Sequence, residues 1–191
     1  MSNIAKIWCR AVCAAALLHA LSAVAADDFA VSAEARGAGV AVDARATVAA
    51  PYAVIWSTLT DYGRLAEFIP GMRSSRIAER RGPTAIVEQH GKAGFLLFSY
   101  GIDVVVASTE YPSGIIEIHA LEGNLKQLSG HYRIEQGGRQ GTWILRWIGL
   151  IEPALSLPHL VGVPLIRNNI ADQFRGMVEE IERRALLAAR G

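Results

Sequence analysis

The chain has 191 residues, with 19 basic and 18 acidic side chains and a formal net charge of +1. Apolar residues make up 51% and charged residues 19%, which excludes a disordered chain and suits one domain with a substantial core. No basic patch or Arg-rich run stands out, so the composition argues against nucleic acid as a partner and against a strongly anionic surface.

The N-terminus reads as a secretory signal. Lys6 and Arg10 supply a positive start, Ala11 to Leu21 an apolar stretch, and Ala23-Val24-Ala25 a small-x-small cleavage site, repeated one register later at Val24-Ala25-Ala26. The apolar stretch is short of the ~20 residues that a spanning helix needs. Residues 1–25 are therefore expected to be cleaved and the product exported, to the periplasm. Both cysteines, Cys9 and Cys13, lie in this segment. The exported protein would carry no disulfide, thiolate nucleophile or cysteine metal site, and its net charge would fall to about −1 as Lys6 and Arg10 leave.

Asp27 to Gly37 is small and polar, and residues 26–37 read as a flexible lead-in to a domain over 38–191. Val40 to Val48 alternates, with Val40, Val42, Ala44, Ala46 and Val48 on one face, which predicts a half-buried strand. Pro51 opens a short helix with Val54, Ile55 and Leu59 on its apolar side. Asp61-Tyr62-Gly63 breaks it, and a second short helix, Arg64 to Ile69, ends at Pro70-Gly71. Six strand candidates follow: Ser74 to Arg80, Thr84 to His90, Phe95 to Thr109 with a bend at Tyr100-Gly101, Ile115 to Ala120, Leu128 to Glu135 and Thr142 to Ile151. Turn signals between them predict hairpins in an antiparallel meander. Pro158 to Gly162 reads as a connector. From Pro164, Ile166, Ile170, Phe174, Met177, Ile181, Ala185 and Ala188 recur at helical steps. The predicted class is α+β: a curved antiparallel sheet wrapped around one long C-terminal helix, with two short helices after the first strand.

That order, together with Ala50-Pro51-Tyr52-Ala53-Val54-Ile55-Trp56, Asp61-Tyr62, Phe68-Ile69-Pro70-Gly71 and Leu128-Ser129-Gly130-His131-Tyr132-Arg133-Ile134, resembles the START-like, helix-grip (SRPBCC) superfamily. Within it, the chain resembles the polyketide cyclase/dehydrase and coenzyme Q-binding branch, over Val40 to about Leu187. The resemblance implies a deep hydrophobic cavity between sheet and helix. It implies ligands such as lipids, sterols, quinones or polyketides, and in some members a cyclase or aromatase activity. Fold alone does not choose among these.

The chemistry-bearing residues form no recognised motif. His90, His119, His131 and His159 show no metal-ligand spacing, though His119 and His131 could neighbour one another on paired strands. Asp103, Glu88 and Glu117 sit inside strands, where an inward carboxylate would have a raised pKa and serve as general acid or base. No Gly-x-Ser-x-Gly elbow and no phosphate loop is present. In the last strand Trp143, Leu145 and Trp147 share one face, and Ile144, Arg146 and Ile148 the other. With the Trp face inward, the preferred reading, Arg146 lies outside; with the Ile face inward, Arg146 is a buried anchor for a ligand carboxylate or enolate. Arg167 falls near the edge of the closing helix's apolar stripe.

The cavity candidates are therefore Trp56, Phe68, Phe95, Phe98, Tyr100, Asp103, His119, Tyr132, Arg146, Arg167, Ile170 and Phe174. The expected function is binding or carriage of a hydrophobic lipid, quinone or sterol-like molecule, with no cofactor, no metal and no assigned catalytic residue. Transient membrane contact through the apolar run His159 to Pro164 is part of that expectation; oligomeric state is not legible. The alternatives are a cyclase/dehydratase using Asp103, His119 or Arg146, and an envelope interaction module presenting Trp143 and Trp147.

Overall fold

The structure, a computed structural model, describes residues 28–95, 98–155 and 157–190. The expected signal segment lies outside the described residues. Eight strands form one antiparallel sheet: β1 (Ala30–Arg36), β2 (Gly39–Ala49), β3 (Met72–Arg81), β4 (Thr84–Phe95), β5 (Phe98–Tyr111), β6 (Ile115–Gly123), β7 (Leu125–Gln136) and β8 (Thr142–Pro153). Their order across the sheet is β1-β2-β8-β7-β6-β5-β4-β3. Helix α1 (Tyr52–Leu59), a 3₁₀ turn (Tyr62–Arg64) and helix α2 (Leu65–Phe68) join β2 to β3. Helix α3 (His159–Ala188) closes the chain and packs against β1, β2, β4, α1 and α2. This is the helix-grip arrangement: the curved sheet holds one long helix in its concave face.

The core follows the alternation read from the sequence. Val40, Val42, Ala44, Ala46 and Val48 of β2, Val104 and Val106 of β5, and Leu145 and Trp147 of β8 are buried toward α3, which contributes Ile166, Phe174, Met177, Val178 and Ile181. Two glycines allow close approaches that shape this grip. Gly71 has φ +79°, and a Cβ there would stand 2.7 Å from the Lys92 carbonyl oxygen. The Pro70-Gly71 pair thus lays the start of β3 onto β4, where the Lys92 N–H donates to the Gly71 carbonyl at 2.9 Å. Gly176 lets α3 touch α2's exit, since a Cβ would meet the Phe68 oxygen and Pro70 Cδ at 2.5 Å.

Three elements depart from the expectations. Residues 30–36 of the expected lead-in form β1, paired in register with β2. The segment is polar because an edge strand buries one side only; Phe29 meets Phe174 at 5.8 Å and the Arg167 Nε donates to the Val31 carbonyl at 3.1 Å, which ties it to α3. β4 runs through Gly91-Lys92-Ala93-Gly94 to Phe95, so the hairpin turn falls later than those glycines suggested. α3 begins at His159 with Pro164 inside it. Pro158 caps the start, and a proline this close to a helix N-terminus removes few hydrogen bonds.

Candidate functional site

Between the sheet and α3 lie two adjoining apolar chambers, of about 110 and 130 Å³. Each is comparable to the roughly 150 Å³ engineered cavity that accepts benzene. The first, beside the N-terminal half of α3, is walled by Met72, Ile102, Val104, Leu125, Leu165 and Ile166, with Lys92 and Asn169 among its polar members. The second lies deeper along α3 and is walled by Leu59, Leu65, Ile69, Val106, Ile116 and Met177, with Tyr62 and Ser108 among its polar members. Met72, Gln89, Leu128, Ile170 and Gln173 belong to both walls and form the waist between them.

Period-two geometry explains which strand residues reach the chambers. β8 turns Trp147 inward at 6% exposure, and Leu145 is fully buried. Trp143 packs on the core, its ring 5.1 Å from that of Tyr52. The Trp face is thus the inner face, which removes the exposed Trp143/Trp147 patch that an interaction module would have used. Arg146 points outward and forms a two-pronged ion pair with Asp43 of β2, through its Nε at 2.9 Å and its Nη2. That pairing holds the Asp43 carboxyl below its usual range.

Of the expected cavity residues, Tyr100, Tyr132, Ile170 and Phe174 line the chambers. Four do not. Asp103 alternates outward from Ile102 and Val104, and its carboxylate meets His90 Nδ1 at 2.8 Å on the outer face. His119 alternates outward from Ile118 and is exposed. Arg146 is outside for the reason given, and Arg167 is exposed on the flank of α3 against β1. Trp56 and Phe68 pack on the core without lining either chamber: Trp56 stacks on Tyr52 at 6.3 Å, and the Arg184 guanidinium lies 5.3 Å over the Phe68 ring. Phe95 and Phe98 pair at the tip of the β4–β5 hairpin, and their side chains fall outside the described ones.

Sequence reasoning missed the polar members of the wall. Gln89, Ser108, Asn169 and Gln173 are ordinary polar positions in a sequence, and only their parity with Val87, Val106, Ile166 and Ile170 marks them as inward. Tyr62 was legible only as a helix breaker. The Gln173 Nε2 donates to Asn169 Oδ1 at 3.2 Å, and the Tyr100 hydroxyl to the Asn124 carbonyl at 2.6 Å. The Tyr62 hydroxyl is buried beside Glu110 and Ser108, in reach of both but without a hydrogen bond of ordinary geometry. Burial, with the Glu110 carboxylate nearby, raises its pKa far above the ordinary phenol value. Tyr132 lines the second chamber, and desolvation raises its pKa strongly. Both phenols therefore stay neutral hydrogen-bond donors. Among the described residues, no group of three or more His, Cys, Asp or Glu is placed to hold a metal ion.

The comparisons agree with this geometry. A family model described as polyketide cyclase / dehydrase and lipid transport matches residues 48–179. No curated protein sequence matches the chain. Among solved structures, a Thermus thermophilus protein is 13% identical, with 78% of this chain and 98% of that one aligned at TM-score 0.64. The Zhui aromatase/cyclase of Streptomyces sp. R1128 is 18% identical, with 75% and 94% aligned at TM-score 0.63. A START superfamily protein of Mycobacterium smegmatis is 16% identical, with 78% and 98% aligned at TM-score 0.61. At these identities the structural likeness establishes the shared fold. With the family model covering well over half of its length, the chain belongs to the polyketide cyclase/dehydrase and lipid transport family of the START-like superfamily.

Proposed function

We propose that this protein binds and carries a neutral hydrophobic small molecule, of lipid, quinone or sterol-like character, in the two chambers under α3. The observation that carries the reading is the wall itself: apolar side chains predominate in both chambers, and the residues that a cyclase would have used, Asp103, His119 and Arg146, line neither of them. Burial of apolar ligand surface supplies the affinity, at about 25 cal/mol per Å². The small chambers favour a slender ligand, or one that parts the waist at Leu128 and Gln173 on entry. Displacement of an environment-sensitive apolar fluorophore by candidate lipids tests the reading. Leu128→Trp, which fills the waist, is expected to abolish fluorophore uptake while the far-ultraviolet circular dichroism stays unchanged. Uptake equal to wild type would contradict it.

Export and membrane contact belong to the same proposal. The sequence of residues 1–25 supports export, and N-terminal sequencing of the protein from its native envelope fraction tests it, with a start near Asp27 expected. Leu160 at the head of α3 is 91% exposed, and Leu155 before it is also exposed, which supports brief contact with a bilayer at ligand loading. Leu160→Asp is then expected to slow transfer of bound ligand to vesicles without altering affinity in solution.

A further inference from the structure

The deeper chamber ends against a charged layer. β5 turns Val104, Val106 and Ser108 to the inner face, and the same parity carries Glu110 there, opposite Ile116 of the chamber wall. β3 supplies the partner through a β-bulge. Its register shifts between Ile77 and Glu79, so Arg80, which unbroken alternation would send outward, pairs with the fully buried Ala85 and falls on the inner side. The Arg80 Nη1 donates to Glu110 Oε1 at 3.0 Å, and the guanidinium lies 5.9 Å over the Tyr62 ring. Tyr62 and Ser108 wall the chamber, and the Tyr62 hydroxyl stands beside Glu110.

On the other side of this layer is a surface cleft of about 450 Å³, bounded by Tyr52, Trp56, Pro83 and Pro112, with Arg80 and Glu110 in its wall. It lies at the end of the sheet that holds the β3–β4 and β5–β6 turns, whereas β8 runs to the head of α3 at the opposite end. The cleft and the chamber share no wall residue, and the layer of Arg80, Glu110 and Tyr62 stands between them.

The chemistry of that layer suits opening. An apolar plug would lose its burial on moving into water. Arg80 and Glu110, with side chains 44% and 17% exposed, part into solvent that hydrates both charges, where such pairs are weak. The Tyr62 hydroxyl is held by no hydrogen bond of ordinary geometry, while its backbone is pinned by the Ser75 hydroxyl, which donates to the Tyr62 carbonyl at 2.6 Å. The ring can therefore turn on a fixed hinge. The rim is fixed too, since the Glu110 N–H donates to the Pro83 carbonyl at 2.9 Å.

We infer that this cleft is a second entrance to the deeper chamber, closed by the Arg80–Glu110 pair as its outer leaf and the Tyr62 ring as its inner leaf. The inference rests on the carrier reading and adds a route to it: ligand passes between chamber and solvent at this end of the sheet as well as at the head of α3. Arg80 and Glu110 set the rate of exchange and leave affinity to the chamber walls.

Stopped-flow fluorescence with the neutral apolar probe N-phenyl-1-naphthylamine tests it. Arg80→Ala and Glu110→Gln are each expected to raise the association and dissociation rates together by about fivefold, equivalent to ~1 kcal/mol in the barrier, with Kd unchanged. The double variant is expected to exceed neither single one, because one pair is broken in all three. Arg76→Ala, which breaks the Arg76–Glu88 pair of the same strand β3, is expected to keep wild-type rates, and thermal unfolding checks that every variant folds. Wild-type rates in the Arg80 and Glu110 variants, or rates raised equally in Arg76→Ala, would overturn the entrance and leave the carrier reading standing. A wild-type protein that takes up no probe would overturn both.

Discussion

Phe174 joins stability to the cavity. At 1% exposure it is among the largest fully buried side chains, it lines the second chamber, and its ring meets Phe29 ahead of β1. Phe174→Ala should cost about 3–5 kcal/mol, the usual range for truncating a buried aromatic, and enlarge the chamber; urea unfolding measures the first effect and fluorophore uptake the second. Arg146 and Asp103 behave in the opposite way. Both lie in exposed or half-exposed ion pairs on the outer face, so Arg146→Gln and Asp103→Asn should each shift stability by no more than about 1 kcal/mol and leave ligand affinity unchanged. A loss of ligand affinity in either variant would place the functional surface outside the sheet. Parity within a strand is legible from the sequence, as the alternation Trp143, Leu145, Trp147 shows. Which parity turns inward is decided by where α3 lies, and that depends on long-range packing. This is why sequence alone groups Asp103 and His119 with the cavity and passes over Ser108.

Helix α3 is fastened to α2 and to the α1–α2 link near the C-terminal end of its packed region. Gly176 admits the Phe68 carbonyl and Pro70 ring, so Gly176→Ala should push α3 off α2 and destabilise the fold by about 1–3 kcal/mol, as overpacking does. Near the C-terminus, Glu180 accepts from Arg183 at 2.6 and 2.8 Å and from Arg184 at 2.7 Å, and Arg184 continues to Asp61 at 2.9 Å. The Arg183 hydrogen bonds, aided by Arg184, lower the Glu180 pKa to about 2 from 4.5. A carboxylate with a depressed native pKa adds stability that is present above its unfolded value and lost as pH falls through its folded one. Stability should therefore decline between pH 4.5 and about 2, and Glu180→Gln should make that decline shallower; equal slopes in an acid titration would refute the link. The elements themselves are largely legible, because the 3.6-residue stripe of α3 and the turn signals between β3 and β8 are local. β1 is not, since its seven residues are stabilised by pairing with β2 and by α3, neither of which its own composition records. The start of α3 is hidden because Pro164 reads as a boundary, although the preceding residues are helical.

For the molecule as a whole, the grip of sheet on helix creates two chambers with predominantly apolar walls. The fold and family are legible from the Pro51–Asp61 and Phe68–Gly71 segments, while the cavity's division into two chambers is not, because it depends on how Met72, Gln89, Leu128, Ile170 and Gln173 converge from four elements. A ligand that binds only the folded state raises stability as RT ln(1 + [L]/Kd), about 2.7 kcal/mol at a hundredfold excess over Kd, so the true ligand should shift the unfolding midpoint in a concentration-dependent way. The most direct measurement is native mass spectrometry of the protein purified from its own host, followed by solvent extraction and identification of the released molecule. One neutral, predominantly apolar molecule per chain is expected. A protein that is uniformly empty, and stays so after incubation with total lipid extract from the same cells, would contradict the carrier function.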